Sequence, residues 1–265
     1  MSDRILIIDI GNTDSVFAVY PRKKRSAELR LPNRRIRTGD DLWLHINRFL
    51  RALPGPASRI QGAAISSVVP LLTGIFLRVL RSRFGIIPLV IDGSMNVGIK
   101  IRYDDPLALG PDRICHAVAA YRGYGGPVII IDCGTATTFD VVTAKGEFIG
   151  GAIAPGIRTA VEALAERTAR LPEVPLRFPR RIIAKNTVEA IQSGILYSSL
   201  DGMAGMVNRM KKMTGKKTKV ILTGGFASLL ASKSDFADAI RPTLVLDGAY
   251  LIHQRLRNRR RRPQA

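Results

Sequence analysis

Two short stretches of this chain are suited to holding phosphate. Asp9-Ile10-Gly11-Asn12-Thr13 and Asp132-Cys133-Gly134-Thr135-Ala136-Thr137 each set an aspartate, one residue and a glycine ahead of hydroxyl or amide side chains. Such a turn presents backbone N–H groups and hydroxyls to an anion. Its glycine lets the backbone approach without a Cβ in the way. An aspartate at the strand end can hold a hydrated Mg²⁺ against phosphate oxygens. One Asp-x-Gly turn is a common hairpin. Two copies, each opening a half of the chain, point to duplication and to a clamp on a polyphosphate. A third segment, Leu222-Thr223-Gly224-Gly225-Phe226-Ala227, is by itself an ordinary strand–helix junction. Beside two phosphate turns, its paired glycines let a flat ring or ribose come close and complete a nucleotide site.

Strands must carry these turns. Ile5 to Asp9 reads as a strand, followed by the glycine turn, a second strand around Val16 to Tyr20 and a polar, basic hairpin. A helix follows with Trp43, Ile46, Leu50 and Leu53 on one face and Asp40 and Asp41 as N-cap candidates. Ile60 to Val69 is a buried strand. After Pro70, Leu72, Ile75, Phe76 and Val79 recur at helical spacing, and Ile86 to Ile91 is a further strand. The pattern then restarts with strands at Val128 to Asp132, Phe139 to Thr143 and Glu147 to Ile153, the last two joined at Lys145-Gly146. Helices are expected at Ile157 to Leu171 and Val188 to Met213, a strand at Lys219 to Thr223 and a final helix at Gly248 to Arg257. Strands alternating with helices give an α/β fold. The duplication implies two similar domains facing each other, 1–113 and 114–257, with a basic tail at 258–265 expected to be disordered.

Length and charge bound the rest. The 265 residues suit one large domain or two modest ones, and 46% hydrophobic residues is a globular composition. No apolar run reaches the length that crosses a bilayer. Met1 to Gly11 contains Asp9 and no small-residue cleavage pattern, so it reads as a strand and not a signal peptide, and a cytoplasmic location is expected. Cys115 and Cys133 are too few for a disulfide framework or a zinc site, and His45, His116 and His253 lack metal-ligand spacing. Cys115 beside His116 reads as a buried thiol next to an ordinary histidine. The 41 basic and 21 acidic residues leave a net charge of +20, which attracts polyanions. Part of the excess lies in Arg22-Lys23-Lys24-Arg25 and in Arg255 to Arg262. Neither run interleaves aromatics for stacking bases, so a solvated loop and a frayed tail are expected, with no specific nucleic-acid partner.

Asp-x-Gly-x-Thr, then Asp-x-Gly-x-x-Thr, then Thr-Gly-Gly resembles the actin, hexokinase and Hsp70 superfamily of ATPases. Within it the chain is similar to type III pantothenate kinases. Tyr103-Asp104-Asp105-Pro106, Gly110-Pro111-Asp112-Arg113, Gly150-Gly151 to Pro155-Gly156, Lys185-Asn186-Thr187 and Gln192-Ser193-Gly194 stand in that family's order, from about Ile5 to Tyr250. The resemblance implies two duplicated ribonuclease H-like (actin-like ATPase) domains with mixed sheets flanked by helices. It implies transfer of the ATP γ-phosphoryl group to pantothenate, the first step towards coenzyme A, in a homodimer whose substrate sites are completed at the subunit interface.

The family match also implies roles for single residues. Asp112 is the proton acceptor for the attacking hydroxyl. Gly110, Pro111, Asp112 and Arg113 form a substrate loop, and Arg113 has the fork geometry for a carboxylate or phosphate. Tyr103 and Thr187 match pantothenate contacts. Asp9, Ile10, Gly11, Asn12, Thr13, Asp14, Ser15 and Val16 match the first ATP segment, and Thr135 matches a second phosphate contact. Asp132 stands where the family holds a monovalent cation, K⁺ or NH₄⁺, beside Mg²⁺, for which Asp9 is the candidate. Sequence alone does not separate K⁺ from Mg²⁺ at Asp132.

Four positions depart from the family pattern. Pro111 stands for alanine, Cys133 for an aromatic, Ala184 for glycine and Asp105 for asparagine. The first stiffens the substrate loop, and the last adds negative charge near an anionic substrate. Two other functions fit parts of the pattern: a superfamily kinase acting on a sugar or acetate, and a nucleotide-binding regulator that contacts DNA through its basic surface. The first lacks the Gly-x-Asp-Arg and Asn-Thr combination, and the second lacks any base-reading motif.

Overall fold

A computed structural model describes residues 4–21, 25, 27–53 and 60–260. Its elements are β1 (Arg4–Ile10), β2 (Asp14–Pro21), β3 (Ala27–Pro32), α1 (Gly39–Arg51), β4 (Ile60–Ser67), α2 (Pro70–Phe84), β5 (Leu89–Val90), β6 (Lys100–Ile101) and α3 (Pro111–Tyr124). There follow β7 (Val128–Cys133), β8 (Ala136–Val142), β9 (Glu147–Pro155), α4 (Ile157–Arg167), α5 (Thr187–Thr214), β10 (Lys219–Thr223), α6 (Ala227–Ala231), β11 (Ala239–Ile240) and α7 (Leu244–Arg260). The chain divides into two compact units, one of Met1–Ala119 with Val245–Ala265 and one of Ala120–Leu244. The sequence boundary after Arg113 falls six residues earlier in α3, and the terminal helix, placed by sequence with the second half, groups with the first unit.

In the first unit the strands run in the order β3-β2-β1-β4-β5. β2 is antiparallel and β4 parallel to β1. Ile5 to Ile8 form an unbroken buried run because both faces of the strand are covered. Leu6, Ile8 and Ile10 join Leu42, Ile46, Phe76 and Leu80 of α1 and α2. On the other face, Ile5 approaches His253 of α7 over Gly62 of β4. The same helix stacks Tyr250 on Tyr20 at 4.4 Å between ring centroids, and Tyr20 donates to Asp247 Oδ1 at 2.8 Å. A Cβ on Gly248 would fall 1.9 Å from the Cys115 carbonyl oxygen, so α7 crosses α3 in backbone contact there.

Local signals explain the boundaries. Thr38 caps α1 in a capping box with Asp41 as its N3 residue, so Asp40 and Asp41 lie inside the first turn and not at the cap. Pro70 opens α2, and Gly85 closes it at φ +65°. The strand expected over Ile86 to Ile91 shortens to Leu89–Val90. Arg255 is no part of a frayed tail: α7 continues to Arg260, and Arg255 donates from Nε and Nη2 to the backbone and side-chain oxygens of Asn96 at 2.9–3.2 Å. Residues 22–24 and 261–265, which hold the rest of both basic runs, lie outside the described residues.

In the second unit the strand order is β11-β10-β7-β8-β9, with β10 parallel and β8 antiparallel to β7. This repeats the β4-β1-β2 arrangement around the other Asp-x-Gly strand. Ile129, Ile131 and Cys133 pack with Ile157 and Val161 of α4 and with Ile195, Leu196 and Met203 of α5. α4 ends at Arg167, short of the expected Leu171, because Thr168 turns to an extended conformation. α5 starts where Asn186 accepts from the Glu189 N–H at 2.9 Å.

Candidate active site

The aspartates of both Asp-x-Gly turns lie near the carboxyl ends of parallel strands, where α/β folds expose their ligand sites. In the first unit Asp9 is the penultimate residue of β1 and stands in register with Ser66 of β4. The buried Ser66 hydroxyl donates to Asp9 Oδ1 at 2.9 Å. Gly11 then closes the turn by donating its N–H to the Asp14 carbonyl at 3.0 Å.

A residue absent from the sequence reading organises that turn. Asn33, which opens a single 3₁₀ turn after β3, donates from Nδ2 to the carbonyls of Gly11 at 2.7 Å and Asn12 at 3.2 Å. Its own N–H donates to the Thr13 carbonyl at 2.9 Å, and its Oδ1 accepts from the Ser15 hydroxyl at 2.7 Å. No local motif could have revealed these contacts, because they arise from the β2–β3 register. Ser66 left a clearer sign, since Ser66-Ser67 is a polar pair ending an apolar strand.

Asp112 and Arg113 sit in the first turn of α3, which Pro111 opens, so the expected substrate loop is in part a helix start. Asp112 Oδ1 accepts from the Arg113 N–H at 2.8 Å. The Arg113 guanidinium is largely buried and lies 5.7 Å from the centre of the Tyr103 ring. A Cβ on Gly110 would fall 2.5 Å from Asp112 Oδ1, so glycine leaves room for that carboxylate. Cys115, one turn further on, is fully buried; burial pushes its thiol pKa well up, and the Asp9 and Asp112 carboxylates push it further. The same thiol therefore feels both carboxylates. Asp105 Oδ1 accepts from the Leu107 N–H at 2.9 Å, so the acid found in place of asparagine caps a 3₁₀ turn.

In the second unit Asp132 pairs in register with Thr138 of β8 and Thr223 of β10. Gly134 donates its N–H to the Ala136 carbonyl at 3.1 Å, as Gly11 does to Asp14. The Thr135 carbonyl accepts from the Gly156 N–H at 3.1 Å and from the Thr159 hydroxyl at 2.7 Å, which ties this turn to the start of α4. Gly224 adopts φ +88°, and a Cβ there would fall 2.2 Å from Asp132 Oδ1. Thr223 is fully buried, and its hydroxyl has no hydrogen-bond partner among the described residues. Burial, then the Asp132 charge, pushes the Cys133 thiol up to about 12, so it is an inert packing group. Thr187 is exposed at the first residue of α5, on an open groove of about 660 Å³ between α4 and α5. Thus Asp9, Asp112, Arg113 and Tyr103 gather in one unit, while Asp132, Thr135 and Thr187 belong to the other.

A family profile for type III pantothenate kinases matches residues 5–212. The chain belongs to this family. The type III pantothenate kinase of Moorella thermoacetica is 39% identical over 95% of this chain and 99% of its own length. That of Geobacter sulfurreducens is 41% identical over 96% and 99% respectively. Among solved structures, ethanolamine utilization protein EutJ from Carboxydothermus hydrogenoformans superposes with a TM-score of 0.53 at 17% identity, covering 95% of this chain and 90% of its own. Component A of (R)-2-hydroxyglutaryl-CoA dehydratase from Acidaminococcus fermentans gives 0.55 at 15% identity, covering 94% and 97%. These likenesses assign the fold, that of the actin-like ATPases. Every residue from Asp9 to Thr187 named above lies inside the stretch matched to the type III pantothenate kinases, whereas Thr223 and Gly224 lie beyond it.

Proposed function

We infer that the protein is an ATP-dependent pantothenate kinase, which forms 4′-phosphopantothenate in the first step of coenzyme A biosynthesis. The observation that carries this reading is the family match across the segment that holds both Asp-x-Gly turns and Asp112-Arg113.

Phosphoryl transfer needs in-line positioning, charge neutralisation and a proton acceptor. Asp112 takes the proton from the pantothenate hydroxyl. The N–H of Arg113 on Oδ1 fixes the carboxylate for that task. The Arg113 guanidinium, stacked against Tyr103, is the cation for the pantothenate carboxylate or the moving phosphoryl group. Gly110 and Pro111 shape this end of the site, and Thr187 is a further pantothenate contact. The turn Asp9 to Val16 is the phosphate cradle of the first unit, and Thr135 is the phosphate contact of the second.

Cations fit the residues present. Thr223 offers an unpartnered buried hydroxyl in register with Asp132, an oxygen pair suited to a hard monovalent ion such as K⁺ or NH₄⁺. Among the described residues no three His, Cys, Asp or Glu side chains group to hold a metal, so Mg²⁺ would rest on the nucleotide phosphates with Asp9 as protein partner. When bound, these ions offset the charge of the phosphates. A homodimer is supported by the groove on α4 and α5, whose walls include Leu164, Leu171, Ile191 and Ile195, and by the neighbouring exposed side chains of Ile182 and Ile183. The enzyme works in the cytoplasm, where its co-substrate ATP is made, and needs no specific nucleic acid.

The test is ADP release with ATP, Mg²⁺ and K⁺, with pantothenate present or omitted. ADP formation that requires pantothenate is expected. Its absence with both K⁺ and NH₄⁺ overturns the reading.

A further inference from the structure

We propose that Asn33 is a positioning residue for ATP, which aims the amide groups of the first phosphate turn at the nucleotide. The proposal rests on the reading of Asp9 to Val16 as a phosphate cradle. It starts from one pattern: the three successive carbonyls of Gly11, Asn12 and Thr13 all accept hydrogen bonds from Asn33.

A trans peptide is planar, and its C=O and N–H point in opposite directions. When a carbonyl is fixed towards Asn33, the N–H of the next residue is directed away from it. The N–H groups of Asn12, Thr13 and Asp14 are therefore turned to the side opposite Asn33. Successive amides pointing one way form an anion-binding concavity. Asn33 sets that direction from outside the turn, and the Ser15 hydroxyl on Oδ1 locks the amide so that Nδ2 faces the carbonyls. Without it, solvent would compete for the carbonyls and the peptide planes could rotate, scattering the donors.

Asparagine is suited to this task where near relatives are not. Aspartate has the same shape and can still accept from Ser15, but it sets a carboxylate oxygen against the carbonyls of Gly11 and Asn12. Alanine removes all three side-chain hydrogen bonds and leaves only the backbone bond to Thr13.

The experiment measures Mg²⁺-ADP affinity by calorimetry, together with KM for ATP and for pantothenate, on wild type, Asn33→Asp and Asn33→Ala. Both variants are expected to bind ADP about tenfold more weakly, the equivalent of one hydrogen bond to a charged group. KM for ATP should rise in parallel, while KM for pantothenate stays within about twofold, a split that a general loss of structure would not produce. Should neither variant fold, Ser15→Ala probes the same lock and should weaken ADP severalfold. Folded variants that bind ADP as tightly as wild type overturn the proposal alone. A wild-type protein that binds no ADP overturns the kinase reading and the proposal with it.

Discussion

The Ser66 hydroxyl donates to the Asp9 carboxylate at 2.9 Å from the strand lying parallel beside it. Thr223 holds the corresponding register beside Asp132, yet its hydroxyl has no such bond. The two halves thus repeat a carboxylate–hydroxyl pair and differ in how the hydroxyl is used. In the first half the hydroxyl is committed to the carboxylate; in the second it has no partner among the described residues.

Thr223→Val tests this difference, since valine keeps the shape and removes the hydroxyl. A buried hydroxyl without a partner is costly. The variant should therefore be more stable than wild type by on the order of 1 kcal/mol in K⁺-free buffer, by urea unfolding. At the same time the K⁺ concentration for half-maximal activity should rise. A variant that loses stability and keeps its K⁺ response would show that the hydroxyl is satisfied within the protein.

Asp112→Asn keeps an oxygen to accept from the Arg113 N–H, so the start of α3 should stay intact. Pantothenate-dependent turnover should fall about 10²- to 10⁴-fold, the usual contribution of a general base. The melting temperature and ADP affinity should be little changed.

Gly248→Ala pushes a methyl group into the Cys115 carbonyl, where the ideal Cβ position is 1.9 Å from the oxygen. The crossing of α7 on α3 must open, at a cost of about 1–3 kcal/mol. Because α3 carries Asp112 and Arg113, activity should fall with stability. Thermal unfolding and turnover on the same sample check the link.

His253 makes stability depend on pH. Burial, helped by Arg257, lowers its pKa from 6.5 to about 4. Between those values the unfolded chain holds a proton that the folded protein does not, so stability falls as pH drops through this window. The loss is on the order of 2 kcal/mol, below the full span because the side chain keeps some contact with solvent. Melting temperatures at pH 7 and pH 5 should differ more for wild type than for His253→Gln.

The strands that carry Asp9 and Asp132 are legible because buried central strands write themselves as unbroken Ile and Val runs. α3 has no counterpart among the helices expected from the sequence, which gives only a substrate loop at its start. Its buried face is built from Cys115, Ala117, Ala119 and Ala120 as well as Ile114, so no apolar stripe stands out. Asp112 stands out in the sequence only through family likeness, and its place in a helical first turn depends on the start of α3. Asn33 and Thr38 act through contacts set by strand register and by a cap, which composition around them does not betray. The grouping of α7 with the first unit depends on Tyr20, Gly62 and Cys115, each more than a hundred residues away in the chain.

That grouping has a consequence for biosynthesis. The second unit is one continuous segment, Ala120–Leu244, whereas the first is closed by residues that follow it. On the ribosome, the N-terminal half must wait for α7 before Tyr20 finds Tyr250 and Gly248 meets α3. The half made first is thus the half finished last, and the helix start that carries Asp112 gains its support only when translation reaches the end of α7.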